Sequence, residues 1–298
     1  VGVNISAYHL QQADFLPNLE KTLAAYPTVR SDCLELEVVE TAALEGITRI
    51  SSLIEGCQAL GVGFSLDDFG TGYSSLTYLR RLPANVLKID QSFVRDMLWD
   101  SGDLAIVEGI IGLAAAFRRA VIAEGVETAE HGELLLRLGC DLAQGYGIAR
   151  PMPAGELPAW IATWRPPSAW SGAHNMAARR EELPLTYAEV DHRNWLKSLE
   201  SFLSATKRPP PETEAGACRF GEWHLGDEGR RYEHLPEFEA VGALHGATHE
   251  IAREIVAFAQ AGNARMAQSR LEDLRTRHDA LISSLHALSA AIANNNRR

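Results

Sequence analysis

The chain has 298 residues, of which 46% are apolar, and a formal net charge of −11. That length suits roughly two domains at about 100–200 residues each, with enough apolar content for a sizeable core. The acidic balance argues against general binding to nucleic acid or anionic membranes, so an anionic ligand would need a metal or a placed basic residue.

From residue 1 to about 164, β-rich runs alternate with helical stretches. The runs are VGVNIS (1–6), CLELEVVE (33–40), VGFSLDD (62–68), NVLKID (85–90), AVIAEGV (120–126) and DLAQGY (141–146). Helical patterns fall near 14–25, 46–60, 74–81, 103–118, 129–138 and 154–164. Alternation of this kind predicts parallel β/α units. A closed (β/α) barrel needs about eight strands. The six visible here predict either an open sheet or a barrel whose first units lie ahead of Val1. Residues 166–184 carry Pro, Gly and charge without apolar periodicity and read as a linker. Beyond it strands vanish, and helices are expected near 186–205, 236–261 and 264–293. The expected organisation is an α/β domain over 1–165, a linker over 166–184 and an all-α domain over 185–298.

Val1 stands where a start methionine would be, so the chain reads as a fragment. No apolar run approaches the roughly 18 residues of a membrane span. Four cysteines (Cys33, Cys57, Cys140, Cys218) lie far apart without a CxxC, as in a reducing cytoplasm. The expected location is cytoplasmic, with an upstream membrane or sensory segment left open.

The polar residues of the first domain sit at strand ends. Asn4, Glu37, the pair Asp67 and Asp68, Glu124 and Gln144 recur about one β/α unit apart, with Lys88 in the same series. Strand C-termini of a barrel converge on one mouth, and carboxylates with a lysine outline a divalent-metal and phosphate site. In LDDFGTGYSSL (66–76) two adjacent carboxylates can share an ion only where the backbone turns, and Gly70 and Gly72 offer that turn. The plain alternative is a solvated acidic turn. Glu35 and Glu37 face one side of their strand, and unpaired charge there would be costly without a metal or a salt bridge. Lys88, flanked by apolar residues, either serves the site or pairs with Asp90.

These motifs, NIS, LEVVE, DDFGTGYSSL, LKID, AEGVE and QGY through PMP, resemble the EAL domain of bacterial cyclic di-GMP phosphodiesterases over roughly 1–164. The resemblance implies a variant TIM barrel that hydrolyses cyclic di-GMP to linear pGpG with two Mg²⁺ or Mn²⁺ ions. It implies that Asn4, Glu37 and Asp67 hold one ion, and that Asp67, Asp68 and Glu124 hold the second. Glu124 would be general base and Lys88 would contact the attacking water or a phosphate oxygen. Glu40 and the 70–76 loop would order the site and the interface of a homodimer, formed through this domain, the second domain or both; Glu127 would support Glu124, and Gln144 would hold water or substrate. The name-giving Glu-Ala-Leu segment is absent, because the chain begins after it, and Val39 replaces a threonine. The fragment alone is therefore expected to be inactive. A catalytically silent cyclic di-GMP receptor is the alternative.

In the second domain His245 and His249 are spaced i, i+4 on one helical face and can chelate one ion. His192 lies near the apolar face of the first helix, and Cys218 opens CRFGEW. Three histidines and one cysteine make a closed tetrahedral zinc set. DHRNW, CRFGEW and HGATH resemble the chemoreceptor zinc-binding (CZB) domain, over about 186–290. That resemblance implies a four-helix bundle, often dimeric, whose zinc or cysteine redox state regulates an attached partner. His278 falls in the leucine seam of the last helix and is expected to pack or face solvent.

Overall fold

In the computed structural model, which describes residues 1–40, 47–72, 76–171, 176–204 and 209–295, six strands form one parallel sheet. They are β1 (Gly2–Asn4), β2 (Glu35–Val39), β3 (Gly63–Phe69), β4 (Val86–Ile89), β5 (Ala120–Ala123) and β6 (Leu142–Ala143). Their spatial order is their chain order, β1 to β6. This order decides between the two expected architectures. A doubly wound open sheet reverses its strand order at a switch point. Here there is no reversal among the described strands, which is the winding of consecutive units in a TIM-like barrel.

Each strand is followed by a helix, as the parallel crossover requires. The larger crossover helices are Phe15–Ala25, Ile47–Ala59, Ser101–Ala116 and Ala129–Leu138. The core lies between sheet and helices, around Phe64, Leu66, Leu87, Ile89, Ile54, Leu104 and Leu135. β4 is buried along its whole length, which explains the unbroken apolar character of its sequence apart from Lys88.

The short helices Ala7–Leu10, Gln91–Asp96, Arg219–Leu225 and Asp227–Arg230 escaped the sequence reading. Gln91–Asp96 follows β4 directly, and Asp90 caps it by accepting a 2.8 Å bond from the Ser92 amide. Six residues are too few to show a hydrophobic period, although Asp-x-Ser is a capping signal. The predicted linker is structured at both of its described ends. Ser168–Trp170 forms a short 3₁₀ turn, and a long helix begins at Met176, ahead of the expected residue 186. Residues 172–175 of the predicted linker, 73–75 of the glycine loop and 205–208 at the next connection lie outside the described residues.

Trp170 seats the 3₁₀ turn on the barrel. Its indole Nε1 donates to the Ala129 carbonyl at 2.8 Å, and its ring follows Trp160 and Trp164 in a ladder with centroids 5.7 and 6.2 Å apart. The ring lies so close to Gly132 that a Cβ there would come within 2.3 Å of it. Glycine is thus required by space, in a helix where it would otherwise weaken the backbone.

The second unit is built on three long helices, Met176–Ser204, Pro236–Gln260 and Ala264–Asn295, with short helices Arg219–Leu225 and Asp227–Arg230 between the first two. Its apolar core has two parts. One gathers Leu185, Phe220, Trp223, Phe238, Val241, Leu285 and Leu288; the other gathers Leu199, Ile251, Ile255, Leu271 and Leu274. Along every long helix a buried histidine falls between the two parts: His192, then His245 and His249, then His278. Among the described residues no helix is long and apolar enough to cross a membrane.

Filling the Gly132 notch should displace Trp170. Gly132→Ala is expected to lower stability by about 1–3 kcal/mol, the usual cost of overpacking. Urea unfolding followed by tryptophan fluorescence checks this, and an unchanged midpoint would mean that the ring does not occupy the notch.

Candidate metal centres

The barrel site begins with a register fault. Ser65 and Leu66 of β3 pair with Val86 and Leu87 of β4, but the next pair is Phe69 with Ile89. Two residues of β3, Asp67 and Asp68, thus oppose the single residue Lys88 of β4. This is a β-bulge, which bends a strand and re-aims a side chain. Asp68 takes the extra position with φ of 54°, a left-handed conformation that aspartate tolerates better than most residues. The sequence reading assigned the necessary turn to Gly70 and Gly72. Gly70 does turn with φ of 104°, and the structure adds a turn two residues earlier, at Asp68 inside the strand.

Lys88 is 3% exposed. Its Nζ donates to Glu37 Oε2 at 2.7 Å and Asp67 Oδ1 at 3.0 Å, and lies 2.6 Å from Glu124 Oε1. One ammonium on β4 therefore ties the carboxylates of β2, β3 and the end of β5. The alternative Lys88–Asp90 pair is not formed, since Asp90 serves as a helix cap. Burial works against the charge on Lys88. The bonds from Glu124, Glu37 and Asp67 more than offset this and hold the ammonium above the usual lysine range.

Charge is not balanced. Glu37, Asp67, Asp68 and Glu124 carry four formal negative charges against one positive, leaving three. The strain shows on two members. Burial, then the neighbouring Asp67, raises the affinity of Asp68 for a proton. Burial does the same to Glu124, against the opposing pull of Lys88. Ligand oxygens of Asp67, Asp68 and Glu124 all lie within 4.8 Å of one another. An all-carboxylate oxygen set suits hard cations such as Mg²⁺, Mn²⁺ or Ca²⁺ rather than soft ones.

The remaining predicted residues surround this group. Asn4 neighbours Glu37 across the β1–β2 register. Gln144 Nε2 donates to Glu124 Oε1 at 2.6 Å. It is carried there because Gly145 lets the chain pass against the backbone of Val126, where a Cβ would meet Val126 N at 2.3 Å. Glu40, 1% exposed, uses Oε2 to accept from the amides of Gly70 at 2.9 Å and Gly72 at 3.3 Å, so it holds the start of the glycine loop. Glu127 stands apart: it is exposed, and its charge is felt by Arg95.

The second centre lies in the histidine layer of the bundle. Donor atoms of His192, Cys218, His245 and His249 lie within 4.8 Å of one another. His192 Nδ1 sits 2.7 Å from the carbonyl of Ala188, and His249 Nδ1 sits 3.1 Å from that of Thr213. A carbonyl can only accept, so both Nδ1 atoms carry the proton and both Nε2 atoms offer a lone pair. The His249 Nε2 is buried without a hydrogen-bond partner. His245 Nε2 is 3.1 Å from Cys218 Sγ. Burial, ahead of repulsion from neighbouring histidines, pushes His192 down to about 4 and His245 down to about 2. Neutral imidazole is the ligating form. Three imidazole nitrogens and one sulfur, arranged around an orphaned buried lone pair, fit zinc.

Cys218 also caps a helix. Its Sγ accepts from the Gly221 amide at 3.3 Å, at the start of Arg219–Leu225. Burial raises its thiol pKa, while helix N-termini and metals favour the thiolate. Among the other thiols, Cys57 and Cys140 are buried and pushed up to about 11, mainly by burial, whereas Cys33 is exposed. Of the two expected placements, packing or solvent-facing, His278 takes the buried one, with neither ring nitrogen hydrogen-bonded. It falls outside the four-residue ligand group.

A carboxylate-rich barrel mouth and a closed three-histidine, one-cysteine layer thus share one chain, defining a barrel protein with a metal-binding bundle attached. Comparison with known families makes this specific. The EAL domain model matches residues 1–151, just over half of the 298, and the chemoreceptor zinc-binding domain model matches residues 192–256. The chain belongs to the EAL family and carries a chemoreceptor zinc-binding domain.

Among relatives, the bifunctional diguanylate cyclase/cyclic di-GMP phosphodiesterase MucR of Pseudomonas aeruginosa is 43% identical over 162 residues, covering 54% of this chain and 24% of MucR. The cyclic di-GMP phosphodiesterase NbdA of the same organism is 40% identical over 165 residues, covering 55% of this chain and 21% of NbdA. This chain therefore spans about a quarter or less of those proteins. Among solved structures, the EAL domain of Mycobacterium smegmatis DcpA aligns with TM-score 0.52 and 36% identity, over 56% of this chain and 74% of that one. The MucR phosphodiesterase in complex with cyclic di-GMP aligns with TM-score 0.51 and 43% identity, over 52% of this chain and 63% of that one.

The left-handed backbone of Asp68 gives a direct test. Asp68→Asn should be tolerated, while Asp68→Val should lose about 1–3 kcal/mol from a β-branched residue forced into that conformation. Thermal melts of the two variants measure the difference; equal stability would mean that the bulge is absent.

Proposed function

We propose that the protein containing this chain hydrolyses cyclic di-GMP to linear pGpG at the barrel mouth, and that the zinc centre regulates it. One observation carries the reading. The bulge turns two adjacent aspartates into one mouth beside Glu37, Glu124 and Lys88, leaving three uncompensated negative charges where a dianionic nucleotide would have to bind. Only cations make that site compatible with phosphates. The relatives named as cyclic di-GMP phosphodiesterases and the solved cyclic di-GMP complex support this choice of substrate.

Asp67, Asp68 and Glu124 would hold one Mg²⁺ or Mn²⁺, and Asn4 and Glu37 would hold a second, with Asp67 shared. Such a pair, when bound, lowers the pKa of water and stabilises the attacking and leaving oxygens. The protein's own groups do the rest. Glu124, whose burial raises its proton affinity, is placed to take a proton from the attacking water. Gln144 fixes the Glu124 carboxylate through its 2.6 Å bond. Lys88 keeps Glu37, Asp67 and Glu124 together and supplies positive charge toward a phosphate oxygen. Glu40 anchors the glycine loop beside them.

In the bundle, His192, Cys218, His245 and His249 would hold one Zn²⁺. Loss of zinc or oxidation of the Cys218 sulfur would remove a shared tie between the first two long helices and the Cys218 turn. That change of state is the proposed signal, and a homodimer of the chain is the proposed assembly.

The test is turnover by the complete gene product with Mg²⁺, followed by chromatography of pGpG. Wild type should turn over, and Asp67→Asn should lose at least 100-fold in kcat. A comparable rate in the variant, or no turnover in wild type with zinc present, removed or the cysteine reduced, would reject the reading.

A further inference from the structure

Residues 212–217, which lead directly into Cys218, are tied down more firmly than their charged, glycine-containing sequence suggests. The indole Nε1 of Trp195 donates to the Glu212 carbonyl at 2.7 Å. The Glu212 carboxylate turns back to accept from the amides of Thr213 at 2.8 Å and Glu214 at 2.9 Å. Glu214 lies 3.4 Å from Arg253 of the second long helix. Between these ties sits the Thr213 carbonyl, which accepts the Nδ1 proton of His249 at 3.1 Å. The Trp195 ring itself stacks on His249, with centroids 4.7 Å apart and planes inclined by 34°.

The same short segment leads into the other ligand. Ala215–Ala217 makes one 3₁₀ turn, and Cys218 follows at once. The far end is also fixed: the Ala215 carbonyl packs on Gly221, where a Cβ would come within 1.9 Å. Residues 212–218 thus form a strap, held at Trp195 on one side and at Gly221 on the other. It fixes the tautomer of His249 and the position of Cys218 together.

We propose that Trp195 and Glu212 are positioning residues of the zinc centre, which through this strap preset His249 and Cys218 as a pair of ligands and so set zinc affinity. The proposal rests on the zinc reading of the four-residue layer. Its chemistry is general. A carbonyl acceptor on the far nitrogen of a ligating histidine fixes ring orientation and raises basicity, and loss of such a partner typically costs 10–100-fold in metal affinity. What is particular here is the route. The acceptor is a loop carbonyl, and a loop carbonyl is only as well placed as the loop. Trp195 touches no donor atom with its own polar group; it acts through Glu212 and Thr213.

Trp195→Phe separates the roles, because the phenyl ring can still stack on His249 while the indole N–H is lost. Zinc affinity is measured on the whole chain by competition with a chromophoric chelator. Co²⁺ replaces zinc in a parallel titration, so that its tetrahedral and thiolate absorption bands report the ligand set. Trp195→Phe should bind zinc at least tenfold more weakly, with the same Co²⁺ bands and an unchanged helical circular dichroism signal without metal. Glu212→Ala, at an exposed side chain, should weaken zinc in the same direction, and Glu212→Gln, which keeps an accepting oxygen, should stay within about threefold of wild type. Wild-type affinity in Trp195→Phe overturns the strap; if that variant fails to fold, wild-type affinity in Glu212→Ala overturns it. Cys218→Ala is the control: a wild type that binds zinc no better than Cys218→Ala overturns the zinc reading itself.

Discussion

Among the described residues, Lys88 is the one positive group bonded into the group of four carboxylates, and the barrel mouth is organised around it. Its strand is buried along its length, so the ammonium cannot leave for solvent. The carboxylates of three other elements must come to it, and each does, at 2.6 to 3.0 Å. Breaking such a buried pair by removing one partner typically costs about 3–5 kcal/mol. The lysine therefore fixes the positions of Glu37, Asp67 and Glu124 before any ligand arrives. Holding groups in place in advance is how such sites gain their electrostatic advantage.

The bundle obeys the same constraint with different donors. An apolar core is interrupted by a layer of neutral imidazoles and one thiol, and buried polar groups without partners are costly. His192 and His249 each satisfy one nitrogen on a backbone carbonyl, which leaves the other nitrogen directed to a shared point. In both units the polypeptide brings together ligand atoms within 4.8 Å of one another, close enough to share a cation. In the barrel the donors are oxygens, a set that suits hard divalent ions; in the bundle they are nitrogen and sulfur, a set that suits zinc.

Much of this was legible in the sequence because the chemistry is carried by short local motifs. The β/α alternation, the carboxylates at strand ends and the four zinc-type ligands could all be read without contacts. Strand order could not: six strands allow an open or a barrel winding, and only pairing distinguishes them. Nor could the bulge be read. Asp-Asp followed by a glycine loop suggested a turn at the glycines, whereas the register shift against β4 lies at Asp68 itself. The resemblance implied that Glu127 supports Glu124, yet its side chain is exposed. The strap at 212–218 was hidden for a similar reason. Its ties are a tryptophan N–H and backbone carbonyls, and carbonyls leave no trace in a list of side chains. Trp195, three residues beyond His192, was the available clue.

The central claim is that the bulge-aligned carboxylates around Lys88 form a divalent-cation site. Mn²⁺ binding followed by electron paramagnetic resonance reads this directly, since bound Mn²⁺ loses the sharp signal of the free ion. With the zinc centre already loaded, the account predicts saturable Mn²⁺ binding by wild type that Mg²⁺ displaces and that the double variant Asp67→Asn, Asp68→Asn loses. Equal Mn²⁺ binding by the wild type and the double variant would contradict it.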